Sequence, residues 1–130
     1  MRLDHCCLNV RDMDAAIRFY EAHFGMKLLS RREIPENDAE IAFVGYGGED
    51  AMKLELTHWR TWKPEEYTEG STFDHIAIVV DTDLRALVER LRAAGVKVAR
   101  EPFSLSGGGS TIAFVHDLDG NWVELIERRR

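Results

Sequence analysis

The sequence predicts an α+β fold in which two tandem β-α-β-β-β modules form a curved mixed sheet. One observation behind this prediction is that the same order of apolar, helical and glycine-containing stretches occurs twice, about 70 residues apart. A second is that each copy has a histidine in its first strand and a glutamate in its fourth, His5 with Glu55 and His75 with Glu124. A repeat of this length cannot bury its sheet alone, so the two copies are expected to pack into one domain over residues 1–130.

The first module, residues 1–58, begins with a predicted strand at residues 2–10. The next helix is expected to be capped by Asp12 and ended by Gly25, because aspartate favours the N-cap and glycine adopts the left-handed conformation that ends helices. Residues 35–38 have the composition of a turn. Three further strands are predicted at residues 26–33, 39–46 and 51–58.

The second module, residues 73–128, repeats this order after a polar and aromatic linker at residues 59–72 that is expected to lie over a site. Its helix, residues 83–94, has an apolar stripe at helical spacing. Residues 103–109 form a predicted glycine-rich loop, which has no P-loop lysine. The stripe consists of Leu84, Leu87, Val88 and Leu91, and the strands are predicted at residues 73–80, 96–101, 110–116 and 121–127.

Strand alternation places each ionisable residue opposite an apolar face. In the fourth strand, Glu55 lies opposite Leu54 and Leu56. Glu124 in the last strand and His75 in the fifth strand likewise lie on the face opposite the apolar residues of their strands. The apolar faces are expected to pack on helices, so the opposite, concave face is expected to bring two imidazoles and two carboxylates to one point.

Two nitrogen and two oxygen donors suit a divalent ion such as zinc, nickel, cobalt or ferrous iron. Taken singly, a glutamate in a strand is usually solvated and a histidine in a strand is usually structural. The repetition of the pairing at offsets of 70 and 69 residues favours a metal site for the set. Structural roles are expected for the remaining histidines, His23, His58 and His116. Cys7 shares the face of His5, so it is either a small buried residue or part of the cavity wall.

Composition narrows the functional classes. The net charge of −6 argues against a nucleic-acid partner, and the basic run at residues 128–130 has the position of a frayed tail. The sequence has no apolar run long enough to span a membrane and no secretory signal. Its two cysteines, Cys6 and Cys7, are adjacent, which suits a reducing compartment, so a cytoplasmic location is expected.

The sequence resembles the glyoxalase I family of the vicinal-oxygen-chelate superfamily over residues 1–127. The resemblance is densest at residues 1–5, 19–20, 25–29, 42–47, 54–57, 74–77, 112–115 and 119–126. It implies the fold of paired modules and one metal ion held by His5, Glu55, His75 and Glu124. It also implies a homodimer with shared active sites, in which the first pair comes from one chain and the second pair from the other. Compact bacterial members use nickel or cobalt, and longer members use zinc.

The family reaction is part of methylglyoxal detoxification: the hemithioacetal of methylglyoxal and glutathione is isomerised to S-lactoylglutathione. A carboxylate removes the proton on the carbon next to the carbonyl, and the metal stabilises the enediolate that forms. The proton then returns to the neighbouring carbon. The resemblance makes Glu124 the main base and Glu55 a second proton carrier or a spare ligand.

The sequence departs from the family pattern at positions that usually bind glutathione. Asn9 stands where the family often has an arginine, Trp59 where an asparagine is usual, and Ser106 where a lysine often precedes the glycine pair. Each change removes a group expected to hold an anionic tripeptide, chiefly by charge. The chemistry is therefore expected to be retained, while the thiol is either glutathione or another one.

Three alternatives remain at this point. One is a related metal enzyme on another substrate, such as an acyl-thioester epimerase or a thiol transferase. Another is a ring-cleaving dioxygenase, which needs two histidines and one carboxylate with open positions for oxygen, so the fourth candidate ligand argues against it. The last is a binding or drug-sequestering module, a class that often lacks the ligands that are all present here.

Overall fold

The computed structural model describes residues 4–48, 51–61, 73, 75–104 and 109–128. The chain divides into two compact units, Met1–Glu66 and Tyr67–Arg130. Each unit has the element order β-α-β-β-β, so the predicted α+β fold of two repeated modules is confirmed. Where a curved mixed sheet was predicted, each unit forms a mixed four-stranded sheet of its own.

The first unit contains one four-stranded sheet with the order β1-β4-β3-β2. Strand β1 runs parallel to β4, and the other neighbours are antiparallel. The elements are β1 (His5–Asn9), α1 (Met13–Phe24), β2 (Lys27–Ile34), a 3₁₀ helix (Pro35–Asn37), β3 (Ala39–Gly45) and β4 (Lys53–Trp59).

The second unit repeats this topology with the sheet order β5-β8-β7-β6. Strand β5 is parallel to β8, and the remaining pairs are antiparallel. Its elements are β5 (Ile76–Val79), α2 (Leu84–Ala93), β6 (Val98–Ser104), β7 (Ser110–His116) and β8 (Trp122–Arg128). No helix in the described part of the chain is both long and apolar enough to cross a membrane.

Both helices begin where the sequence predicts. The side chain of Asp12 accepts a hydrogen bond of 2.9 Å from the backbone N–H of Ala15, and Asp83 accepts one of 2.8 Å from Ala86. Such caps satisfy backbone donors that have no partner within the helix. Helix α1 ends at Gly25, whose φ of 65° lies in the left-handed region.

The strand faces alternate as predicted. Leu56 and Leu125 are fully buried beneath helices, whereas the neighbouring glutamates are only half-buried on the opposite face. Helix α1 contacts β2, β3 and β4, and α2 contacts β6, β7 and β8. The helices therefore cover one face of each sheet and leave the ionisable residues on the other.

Several predicted boundaries are wrong. Phe103 and Ser104 belong to β6 rather than to a loop, because they pair with Ile112 and Thr111 of β7. Trp59 is the last residue of β4 rather than the first of the linker. The turn at residues 35–38 is a short 3₁₀ helix followed by Asp38 at a φ of 49°. Linker residues 62–72 and loop residues 105–108 lie outside the described residues.

Candidate metal centre

The first candidate pair lies on the exposed face of the first sheet. His5 Nε2 is 2.9 Å from Glu55 Oε2. In the parallel register Glu55 stands opposite Cys7, so the contact with His5 runs diagonally from β1 to β4. The imidazole is packed edge-on against Phe43 of β3, with 5.2 Å between the ring centroids. Adjacent strands thus bring together two residues that are 50 positions apart in the sequence.

The second candidate pair has the same arrangement in the second sheet. His75 Nε2 is 3.1 Å from Glu124 Oε2, and Glu124 stands opposite Ala77 in the parallel register. The ring of His75 meets Phe114 edge-on at 5.7 Å. The two units therefore repeat the same His–Glu–Phe arrangement as well as the same topology.

The orientation of His5 is set by its neighbour. Asp4 Oδ2 lies 2.8 Å from His5 Nδ1, and since a carboxylate only accepts, Nδ1 carries the proton. This hydrogen bond is the main reason that the pKa of Asp4 is lowered. Nε2 is then the ring nitrogen that faces Glu55. A carboxylate behind the imidazole is the usual outer partner of a metal-binding histidine, since it fixes the ring and raises its basicity.

The donors in each pair are spaced as two ligands of one ion are. Two donors at about 2.1 Å from a divalent ion and about 90° apart are about 3 Å from each other. The observed separations are 2.9 Å and 3.1 Å. Ligands bind a metal ion in their unprotonated forms, so a divalent ion would take Nε2 of the imidazole and an oxygen of the carboxylate. Each pair thus offers one nitrogen and one oxygen donor in a suitable geometry.

Each pair supplies only part of a coordination sphere. Over the described ranges, no group of three or more His, Cys, Asp or Glu side chains is arranged to hold a metal ion. Both histidines are partly open, with 37% of the His5 side chain and 34% of the His75 side chain exposed. The glutamates are more enclosed, at 17% for Glu55 and 15% for Glu124. Each pair is therefore a candidate half-site that supplies two of the donors a metal ion needs.

Polar side chains continue along the first sheet beyond His5 and Glu55. Cys7 Sγ is 3.1 Å from Thr57 Oγ1, and the Thr57 hydroxyl donates to Glu55 Oε1 at 3.4 Å. The pKa of Cys7 is raised, mainly because its thiol is partly removed from water. Trp59 Nε1 donates a hydrogen bond of 2.9 Å to Asn9 Oδ1. Cys7 is thus beside the first pair but remains a protonated thiol.

The other histidines occupy structural positions. His23, in the last turn of α1, packs edge-on against Phe19 with 5.0 Å between the centroids. His58 Nδ1 is 3.2 Å from the carbonyl oxygen of Val10, and His116 Nδ1 is 3.0 Å from that of Gly120.

Residues that the sequence analysis did not single out also shape the pairs. Asp4 fixes His5, and Phe43 and Phe114 support the two imidazoles. A signal for all three exists in the sequence, since Asp-His occurs at the start of both modules and Ala-Phe-Val occurs in both third strands. Ser106 and Asp74 lie outside the described residues.

Sequence comparison gives close relatives over nearly the whole chain. The profile of the Glyoxalase/Bleomycin resistance protein/Dioxygenase superfamily matches residues 2–125. The lactoylglutathione lyase of Haemophilus influenzae is 43% identical over 130 residues, which cover 99% of this chain and 94% of that protein. The lactoylglutathione lyase of Neisseria meningitidis is 42% identical, with 99% and 92% covered.

Solved structures give the same likeness. Glyoxalase I from Zea mays has a TM-score of 0.85 at 38% identity over 99% of this chain, which spans 45% of the maize chain. The trypanothione-dependent glyoxalase I of Leishmania major has a TM-score of 0.82 at 35% identity, covering 98% of this chain and 86% of that chain.

Proposed function

Because the chain belongs to the Glyoxalase/Bleomycin resistance protein/Dioxygenase superfamily, we propose that its two histidine–glutamate pairs jointly hold one divalent metal ion. The function is of the glyoxalase I type, since lactoylglutathione lyases match nearly the full chain at 42–45% identity. The protein is therefore an enzyme, of a family that is metal-dependent and uses glutathione. The observation that supports the proposed ligands is that His5–Glu55 and His75–Glu124 recur with the same register and nearly the same separation.

The proposed reaction isomerises the hemithioacetal of methylglyoxal and a thiol to the S-lactoyl thioester. A glutamate takes the proton from the carbon that carries the sulfur and the hydroxyl, and the same proton is delivered to the adjacent carbon. The ion, when bound, supplies positive charge beside the substrate oxygens and stabilises the negative charge that develops on them. The half-buried setting of the glutamates limits the access of water, so a proton held on a carboxyl group is kept for the return step.

Glu124 is the main base in this proposal, and Glu55 is the ligand that also serves as a second proton carrier. Both have one oxygen turned toward an imidazole. They differ in the residue two positions later on the strand, which is Thr57 for Glu55 and Ile126 for Glu124. An apolar neighbour leaves the carboxylate of Glu124 free to exchange a proton with the substrate.

The proposal includes a homodimer with shared active sites. Each unit contributes two donors, and in the proposed dimer a site with four donors takes one pair of each kind, as the family resemblance implies. His5 and Glu55 of one chain would be completed by His75 and Glu124 of the partner subunit. The partial exposure of both imidazoles supports this arrangement, because an open coordination position is what a second pair needs.

Nickel or cobalt is the proposed ion, with zinc as the alternative, and a His₂Glu₂ donor set suits all three. The thiol is proposed to be glutathione or another thiol. Asn9 and Trp59 stand where the family resemblance leads us to expect an arginine and an asparagine, which favours a thiol other than glutathione. The glyoxalase I of Leishmania major is trypanothione-dependent, which supports this part of the proposal. A cytoplasmic location belongs to the same proposal and is supported by the free thiols of Cys6 and Cys7.

The proposal is tested by measuring metal content and activity on the same variants. We expect purified protein loaded with nickel or cobalt to hold one ion per chain and to isomerise hemithioacetals, and we expect sedimentation to give a dimer. His5→Gln and His75→Gln should each lose the ion. His116→Gln is the matched control, since that imidazole bonds to a backbone carbonyl in a turn. Wild-type protein that binds no divalent ion, or a His75→Gln protein that binds it as tightly as wild type, would overturn the ligand assignment.

A further inference from the structure

A row of three side-chain pairs crosses from β1 to β4 and begins at the candidate ligands. His5 meets Glu55 at 2.9 Å, Cys7 meets Thr57 at 3.1 Å, and Asn9 meets Trp59 at 2.9 Å. The members of every pair are 50 positions apart, and each contact is diagonal to the parallel register. The row is therefore one continuous feature of the face that carries the first half-site.

The direction of the hydrogen bonds in this row follows from the donors available. Thr57 has a single hydroxyl proton, which it donates to Glu55 Oε1 at 3.4 Å. Its oxygen can then only accept from the thiol of Cys7, so the order is Cys7 to Thr57 to Glu55. Thr57 is buried, with 4% of its surface exposed, so its rotamer is fixed by packing. The hydrogen bond from Thr57 to Glu55 is longer than the common range of about 2.5–3.0 Å for hydroxyl donors, so it orients the carboxylate through a weak contact.

Both oxygens of Glu55 therefore have defined directions. Oε2 faces the imidazole of His5, and Oε1 faces the hydroxyl of Thr57. A carboxylate held at one oxygen cannot rotate freely, so its other oxygen stays directed at the same point. This is the role that outer partners play for metal-binding carboxylates.

The equivalent face of the second unit has no hydroxyl at the position that corresponds to Thr57. Ala77 stands opposite Glu124 as Cys7 stands opposite Glu55, and Val79 stands opposite Ile126 as Asn9 stands opposite Thr57. The repeat thus replaces a thiol by a methyl group and a hydroxyl by an aliphatic chain. Ile126 has no proton to donate, so it cannot orient the Glu124 carboxylate as Thr57 orients that of Glu55.

The geometry points to Thr57 as a positioning residue that keeps Glu55 aimed as a metal ligand, while the apolar Ile126 leaves Glu124 free to carry the substrate proton. This inference rests on the proposed function, because it assigns different roles to two glutamates of the same site. It explains why a repeat that preserves the ligands does not preserve their neighbours.

The first experiment measures metal affinity, which does not depend on turnover. Thr57→Val removes the hydroxyl and keeps the volume and branching, and Thr57→Ser keeps the hydroxyl. We expect Thr57→Val to weaken the nickel Kd, measured against a chromophoric chelator, by roughly 10- to 100-fold, as for other outer partners of metal ligands. Thr57→Ser should stay near wild type, and so should Thr111→Val, which makes the same change on β7.

The results for the Thr57 variants test the positioning role, and the result for the wild-type protein tests the metal site. A Thr57→Val protein that binds nickel as wild type does, or a Thr57→Ser protein as weak as Thr57→Val, would refute the positioning role while leaving the metal site intact. Wild-type protein that binds none of nickel, cobalt and zinc would instead remove the proposed function and this inference with it. A failure that is limited to the variants is therefore distinct from a failure of the site.

A converse variant keeps the inference testable if Thr57→Val does not fold. Ile126→Thr places a hydroxyl beside Glu124. At saturating nickel we expect kcat to fall by roughly 10-fold, a part of the 10²- to 10⁴-fold that a general base contributes. KM should change little, nickel binding should be no weaker than in wild type, and Ile126→Val, which adds no hydroxyl, should keep kcat. An Ile126→Thr protein with wild-type kcat would contradict the division of roles.

Discussion

The indole Nε1 of Trp59 donates a hydrogen bond of 2.9 Å to the side-chain oxygen of Asn9, and the bond joins the ends of β4 and β1. Both residues are uncharged, and the family resemblance predicts that both stand at positions that hold glutathione. The acceptor oxygen of Asn9 is already used by Trp59. Neither side chain carries a positive charge, so the pair offers an anionic tripeptide no hydrogen bond from a cationic group.

Asn9→Arg should improve the use of glutathione. A guanidinium at this exposed position adds a charge-assisted hydrogen bond to a substrate carboxylate. We expect KM for the methylglyoxal–glutathione adduct to fall roughly 10-fold, which corresponds to a bond of about 1.5 kcal/mol. Steady-state kinetics at fixed nickel concentration would measure this.

The control for added charge is Ser30→Arg, since Ser30 is exposed on β2, at the opposite edge of the same sheet from β1. Its KM should remain that of wild type. If KM for the glutathione adduct were the same in Asn9→Arg and wild type, position 9 would not be where the glutathione carboxylate binds.

The two glutamates should respond differently to amidation. Glu124→Gln keeps the shape but cannot accept a proton, so kcat should fall by roughly 10²- to 10⁴-fold. Glu55→Gln should lower kcat less and weaken metal binding more, because its main role is that of a ligand. Glu89→Gln, on the exposed face of α2, is the matched control. Equal losses of kcat in the two variants at saturating metal would count against the assignment of Glu124 as main base.

Much of this fold follows from local pattern. The two modules, the helix caps at Asp12 and Gly25, and the burial of Leu54 and Leu56 opposite Glu55 are all confirmed, because caps and strand alternation depend on a few neighbouring residues. The strand that continues through Ser104 was not predicted. Its pairing with Thr111 is decided by the partner strand, which local composition does not reveal.

The half-sites were predictable only in part. The alternation of side chains along a strand predicts that His5, Cys7 and Asn9 share one face, as the structure shows. The diagonal contacts that tie Thr57 to Glu55 depend on the register between β1 and β4, which is a long-range property. The joining of both pairs around one ion stays a prediction.

The thiol of Cys7 should react slowly with alkylating agents. Desolvation raises its pKa, so at any given pH near 8 a smaller fraction is thiolate than in an unperturbed cysteine. In a Cys6→Ser background, the rate of iodoacetamide labelling followed by mass spectrometry should reach half its maximum at a higher pH than for a cysteine-containing peptide. A midpoint below that of the peptide would contradict the raised pKa of the Cys7 thiol.

The strands that carry the glutamates should be sensitive to loss of the buried leucines beside them. Leu56 and Leu125 are both fully buried, and each directly follows its glutamate on the strand. Leu56→Ala and Leu125→Ala each remove apolar contacts and leave a cavity, so the free energy of unfolding should fall by about 2–5 kcal/mol.

The control is Leu118→Ala, which should change the free energy of unfolding by less than about 0.5 kcal/mol, since 57% of that residue is exposed in a turn. Denaturant unfolding would measure all three. Nickel at 100 times Kd should raise the free energy of unfolding of wild type and of both core variants by about 2.7 kcal/mol, because an ion that binds only the folded state stabilises it. Core variants that unfold with wild-type stability would show that the apolar faces do not hold these strands in place.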